Sequence, residues 1–239
     1  MAIFVHPHLW IFTFGILGNF VSFFVFLAPV PTFYKIYRNK LTEKFQSIPY
    51  LVALFSSMLW LYYAFLKGHS FLLITINSFG CVIEMVYIAI YIAYAPIAAK
   101  KSTIKLFALM NMGLFPLLIL ITHFIPNDDA RATVFGWICT TISARVVRTN
   151  SVEFMPFSLS FFLTLSAITW FGYGFFQKDW CIMIPNIVGF VLGLSQMVLY
   201  GYYRNKEDIK DEIMDETLPQ RAAVEVVVSG NDPGSDQPS

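Results

Sequence analysis

Long apolar runs alternate with short polar connections along most of this chain, and the runs have the length of membrane crossings. About 20 apolar residues at about 1.5 Å each are needed to span about 30 Å of hydrocarbon. Six runs meet that length: 9–33, 48–66, 71–95, 106–125, 154–176 and 181–203. A seventh, 132–144 between Arg131 and Arg145, has 13 residues. That covers about 20 Å and falls short of a relaxed crossing. The first run is too long for a signal h-region and has no Lys or Arg in residues 1–8 ahead of it, so it is expected to remain as the first anchor.

Composition narrows the class. The 239 residues are 57% apolar and 13% charged, where soluble domains carry about 25% charged residues. Phe alone contributes 25 residues, so the apolar excess must face lipid. The net charge of +1 hides an asymmetry, because residues from 204 onward hold four basic and nine acidic residues and no aromatic one. This stretch reads as a disordered acidic tail. No basic footprint for nucleic acid is present. Cys81, Cys139 and Cys181 are odd in number and sit in or beside apolar runs, which suggests buried small residues and no disulfide framework.

The connections set an orientation. With seven crossings and the N-terminus outside, the cytosolic side holds Lys35, Arg38, Lys40, Lys44, Lys100, Lys101, Lys105, Arg145, Arg148, Arg204 and Lys206. The outer loops hold Lys67, Arg131 and Lys178, beside Asp128, Asp129 and Asp179. This is a positive-inside pattern with a cytosolic C-terminus. If the short fifth run failed to cross, the later basic residues would invert, which fits worse.

The second half of the chain repeats the first. Ser56, Trp60 and Tyr63 follow Pro49, and Asn77 and Gly80 come next; Ser166, Trp170 and Tyr173 follow Pro156, and Asn186 and Gly189 come next. Two copies facing the same way need an odd number of spans between them. Spans one to three and five to seven, with span four as an inverting linker, satisfy that. The expected fold is all-α: residues 1–95 as a first triple-helix repeat, 96–130 as linker helix and loop, 131–203 as a second repeat with a shortened first helix, and 204–239 as the tail. Parallel repeats of this kind build transporters whose substrate sits near the midplane.

Ser56 and Trp60 share a helix face, as do Ser166 and Trp170. Polar side chains at membrane depth face protein or a water-filled cavity. Two Ser, two Trp and two Asn around one pseudo-axis give flat apolar faces bordered by neutral hydrogen-bonding groups, which suits a sugar. The competing reading makes the asparagines helix glue and the tryptophans interfacial belt residues. Pro29 and Pro31 close the first span, Pro49 opens the second and Pro156 the sixth, all at the cytosolic end, as an inner gate or as plain helix breaks. Tyr63 and Asp179 stand at the opposite end and could close an outer gate by a hydroxyl–carboxylate bond. Glu84 is the only carboxylate deep in a span, either a proton-coupling group or a protonated structural one. His6, His8, His69 and His123 make no metal spacing, and no nucleophile motif or phosphate loop appears. Neither catalysis, a metal nor a cofactor is expected.

The stretches Ala28-Pro29-Val30-Pro31-Thr32-Phe33, Gln46-Ser-Ile-Pro49-Tyr50, Thr75-Ile-Asn77, Ser151-Val-Glu-Phe-Met-Pro156 and Ile184-Pro-Asn186 resemble plant SWEET sugar transporters of the MtN3/saliva type, and most of all their sucrose-preferring group. The resemblance runs from Leu9 to Tyr203. It implies bidirectional, facilitative movement of sucrose, glucose or fructose by alternating access, a plasma-membrane location, and homo-oligomers or hetero-oligomers with related transporters. It implies a pocket of Ser56, Trp60, Asn77, Ser166, Trp170 and Asn186, and gates of Pro29, Pro49, Pro156, Tyr63 and Asp179. The family pattern also implies a gate proline in the fifth span, yet none occurs between Pro126 and Pro156. That loss leaves an alternative: a transport-incompetent isoform that assembles with and modulates intact relatives.

Overall fold

The structure is a computed structural model that describes residues 7–42, 45–68, 70–149, 157–198 and 200. Pro156, Lys44, His6, His69 and the tail from 204 lie outside the described residues, as do the side chains of Arg145 and Arg148. Met1–Leu194 and Ser195–Ser239 are two separate compact units, and the description below concerns the first.

Helices fill the described chain, and no strand occurs among the described residues. They are α1 Pro7–Leu27, α2 Val30–Asn39, α3 Ile48–Lys67, α4 Phe71–Tyr94, α5 Ile97–Phe107, α6 Phe115–His123, α7 Asp128–Thr149 and α8 Phe157–Gln177, followed by α9 Trp180–Val198. A wide π-helical turn, Ala108–Leu114, joins α5 to α6 within one linker span. Six of these stretches are long and apolar enough to cross a membrane. The chain is an all-α membrane protein.

Local chemistry explains the ends. Ser47 precedes α3, whose first turn accepts Pro49 because a first-turn proline lacks only an N–H that would be orphaned anyway. Gly68 closes α3 in the left-handed region at φ 73° and returns its N–H to the Ala64 carbonyl at 3.3 Å. The Asn127 carboxamide oxygen accepts the N–H groups of Asp129 and Ala130 at 2.9 and 3.3 Å. Asp128 and Asp129 then favour the positive end of α7.

Pro29 and Pro31 do not end the first span. The helix breaks after Leu27 and resumes at Val30 for ten residues, with Pro31 in its first turn, so that the stretch His8–Asn39 is one 32-residue crossing with a bend. Its counterpart α7 has 22 residues and reaches that length with charged turns at both ends. The fifth span is the shorter of the pair.

The packing follows the repeat. α1 lies chiefly on α8, and α3 lies on α7, so the first helix of each repeat meets the second helix of the other. Within the first repeat α4 packs on both α3 and α1. The interior is aromatic: Phe55, Leu59, Tyr63, Phe135, Trp170 and Tyr173 form one buried cluster. Leu9, Phe12, Phe20, Phe71 and Leu120 are exposed on the outside, where lipid covers them.

Candidate functional site

At one end of the bundle Tyr63 and Asp179 meet as expected. Asp179 stands just before α9 and is buried; one oxygen, Oδ1, accepts the Cys181 N–H at 3.1 Å and caps the helix. The other, Oδ2, accepts the Tyr63 hydroxyl at 2.6 Å. Lys67 Nζ approaches the same oxygen at 3.5 Å from a partly exposed position. A charged acceptor shared by a cap and a buried hydroxyl is among the stronger bonds a protein makes, about 1.5–3 kcal/mol. This end is closed.

At the matching positions of the other half, Tyr173 corresponds to Tyr63 and Ser70 to Asp179; the Tyr173 hydroxyl accepts from the Gln177 amide of its own helix at 3.0 Å. Each tyrosine also carries its tryptophan edge-on, Trp60 to Tyr63 at 5.6 Å and Trp170 to Tyr173 at 5.3 Å between ring centres. Tyr63 meets a carboxylate of the other repeat, and Tyr173 a neutral amide on its own helix.

Below this end, the six residues expected to line a pocket divide. Trp170 is buried, and its indole N–H donates to Ser22 Oγ at 2.9 Å. Ser22 and Ser166 share a hydroxyl–hydroxyl bond of 2.8 Å. One ladder therefore ties α1 to α8 and brings Trp170 and Ser166 together. Trp60 packs against the same buried cluster, and Ser56 is half-buried one turn away on α3. Asn77 and Asn186 each donate to the carbonyl four residues earlier, Leu73 at 2.8 Å and Ile182 at 2.7 Å. Each bond uses one of the amide's two hydrogens. Their matched geometry agrees with the duplicated sequence, while no direct bond between the two amides joins the repeats.

Three pairs that the sequence reading missed bring the repeats into register. A Cβ on Gly15 would lie 3.1 Å from the Tyr173 ring, and one on Gly136 would lie 2.7 Å from the Tyr63 ring and from Cys181 Sγ. Only glycine lets α1 and α7 come this close to Tyr173 and Tyr63. Four residues on, Asn19 donates to the carbonyls of Gly15 at 2.9 Å and Leu72 at 2.8 Å. Thr140 donates to the carbonyls of Gly136 and Cys181, each at 2.9 Å. Leu72 and Cys181 are themselves matching positions just after Ser70 and Asp179. Comparing the first span with the fifth would have shown the glycines; Asn19 and Thr140 differ in type and leave no identity signal. Ser22 was missed for a related reason, since its role shows only through its partner on α8.

At the opposite end Pro29 is half-buried in the α1–α2 break, and Pro49 is exposed in the first turn of α3. Glu84 is buried on α4, and its Oε2 finds no hydrogen-bond partner. It faces the bundle's interior. Among the described residues no His, Cys, Asp and Glu group could hold a metal, and the three cysteines are free.

Comparison with known proteins was then informative. The family described as sugar efflux transporter for intercellular exchange matches residues 12–99 and 133–208, one block per repeat. The bidirectional sugar transporter N3 of Medicago truncatula is 60% identical over 205 residues, covering 81% of this chain and 76% of its own length. The bidirectional sugar transporter NEC1 of Petunia hybrida is 46% identical over 239 residues, covering 94% of this chain and 90% of its own length. A solved eukaryotic SWEET transporter matches with a TM-score of 0.75 at 30% identity, covering 83% of this chain and 99% of its own.

Proposed function

This chain belongs to the SWEET family of sugar transporters, and from that premise we propose that it carries sugar in both directions, without an energy source, through a pathway between its two repeats. The protein is a transporter and not an enzyme. The observation that carries the reading is the buried bond of Tyr63 on Asp179 at one end of the bundle, beside the duplicated Ser, Trp and Asn set. Closure at one end by side-chain bonds, with a proline break at the other, is the arrangement that alternating access requires.

The substrate contacts follow from chemistry. Trp60 and Trp170 offer faces for the C–H side of a pyranose, while Asn77, Asn186, Ser56 and Ser166 offer donors and acceptors to hydroxyls. Small serines at three wall positions, Ser22 included, leave room for a disaccharide, so we assign sucrose as the preferred cargo, with glucose or fructose as smaller ones. The Asp179 end faces outward and the proline end the cytosol, in the plasma membrane, by the basic residues of the connections. Residues 1–95 and 131–203 act as the two rocking units, 96–130 as their linker and 204–239 as the tail. Assembly with itself or with related transporters completes the reading.

The test is radiolabelled sucrose and glucose flux in transporter-deficient cells, comparing the chain with Asn77→Ala and Asn186→Ala. Loss of at least tenfold in either variant at equal surface level supports the pocket; unchanged flux in both removes it. The shorter fifth span favours one other reading, an inserted chain that only modulates intact relatives. Flux by this chain expressed alone excludes it.

A further inference from the structure

A break in a membrane helix frees backbone carbonyls that lipid cannot satisfy. Pro29 and Pro31 have no N–H, so the turn after Leu27 must find other donors. The Ala28 N–H goes back to Val25 at 3.2 Å, and the Phe33 N–H restarts the ladder on Pro29 at 3.0 Å. The Phe26 carbonyl, in between, accepts the hydroxyl of Tyr87 from α4 at 2.9 Å.

Tyr87 also holds the far side of the same break. Its ring stacks on Phe33 of α2 with centres 4.4 Å apart and planes 14° apart. It meets Tyr50, the neighbour of Pro49 on α3, edge-on at 5.8 Å, and Phe33 meets Tyr50 at 4.7 Å. One buried side chain thus touches the carbonyl before the bend, the ring after it and the start of the second span. Glu84, one turn earlier on α4, offers an oxygen without a partner, Oε2, yet the Tyr87 hydroxyl bonds to the backbone of the bend.

We propose that Tyr87 is a positioning residue for transport: it latches the α1–α2 bend at the angle seen when the Asp179 end is closed, and its hydroxyl bond to Phe26 is made and released as the proline end moves. The inference rests on the alternating-access reading for its consequence, but the latch itself is a property of one helix. Tyr87→Phe keeps the ring stack and removes the bond alone.

The experiment measures the bend directly. Spin labels at Leu17 on α1 and Tyr34 on α2, both exposed to lipid, report the distance across the break in purified protein in nanodiscs, which makes cell-surface level irrelevant. The expected result is one narrow distribution in the parent, and a broadened or two-component one in Tyr87→Phe, with maximal sucrose flux changed at least threefold and KM within twofold. An unchanged distribution in Tyr87→Phe overturns the latch whatever the flux does. Failure of the sugar reading would show instead as absent flux with the latch behaviour intact.

Discussion

The helices α1 and α7 occupy equivalent places in the two repeats and agree over only half their length. Near the Asp179 end each carries a glycine pressed against a buried tyrosine, then an Asn or Thr clamped to the carbonyl just inside the third helix of its repeat. Toward the other end, the first span bends at Pro29 and runs on to Asn39, while α7 carries no proline over Asp128–Thr149. Among the described residues, then, the glycine and the clamp at the Asp179 end are doubled, and the proline bend at the other end is not.

Perturbing the partners of the two tyrosines should separate them. Asp179→Ala removes the acceptor of Tyr63 and the cap of α9 together, about 2–4 kcal/mol. Flux is expected to fall more than tenfold in a radiotracer assay. Gln177→Ala removes the neutral bond to Tyr173, about 1 kcal/mol, so a change within about fivefold is expected. Equal losses would show that the charge on Asp179 is irrelevant.

Glycine comes next. Gly136→Ala forces a methyl between Cys181 and Tyr63, and overpacking of this kind costs about 1–3 kcal/mol. A lowered thermal unfolding midpoint in detergent checks it. Gly15→Ala meets the flexible end of Leu72 as well as Tyr173 and is expected to cost less. Of the two clamps, Asn19 also receives the Thr75 hydroxyl at 2.8 Å, so Asn19→Ala should destabilise more than Thr140→Val, which loses about 1 kcal/mol. Smallest of all is Lys67→Met. The ion pair with Asp179 is long and half-solvated, and such pairs are worth about 0–1 kcal/mol, so flux should stay within about twofold.

Much of this was legible before the structure. Apolar run lengths revealed six spans, and identical residues at nearly equal spacing revealed the repeat, because Trp60 and Trp170 or Asn77 and Asn186 are the same residue at matching positions. What stayed hidden depends on partners distant in sequence. Ser22 acquires its role from Trp170, and Asn19 and Thr140 do one job with different chemistry. Pro29 and Pro31 read as the end of a helix, since proline interrupts the ladder; a proline in a first turn is also a good helix start, and the chain uses it so. The bond from Tyr87 to Phe26 has no sequence signature at all.

The central claim, passive carriage by two rocking repeats, is tested most directly by counterflow in proteoliposomes. Vesicles containing the purified chain are loaded with unlabelled sucrose and diluted into tracer sucrose with no ion gradient. A transient accumulation of tracer above its equilibrium level, absent in Asn77→Ala vesicles, is the predicted result. Protein correctly inserted in the vesicles with no overshoot, or an overshoot appearing only under a proton gradient, would contradict it.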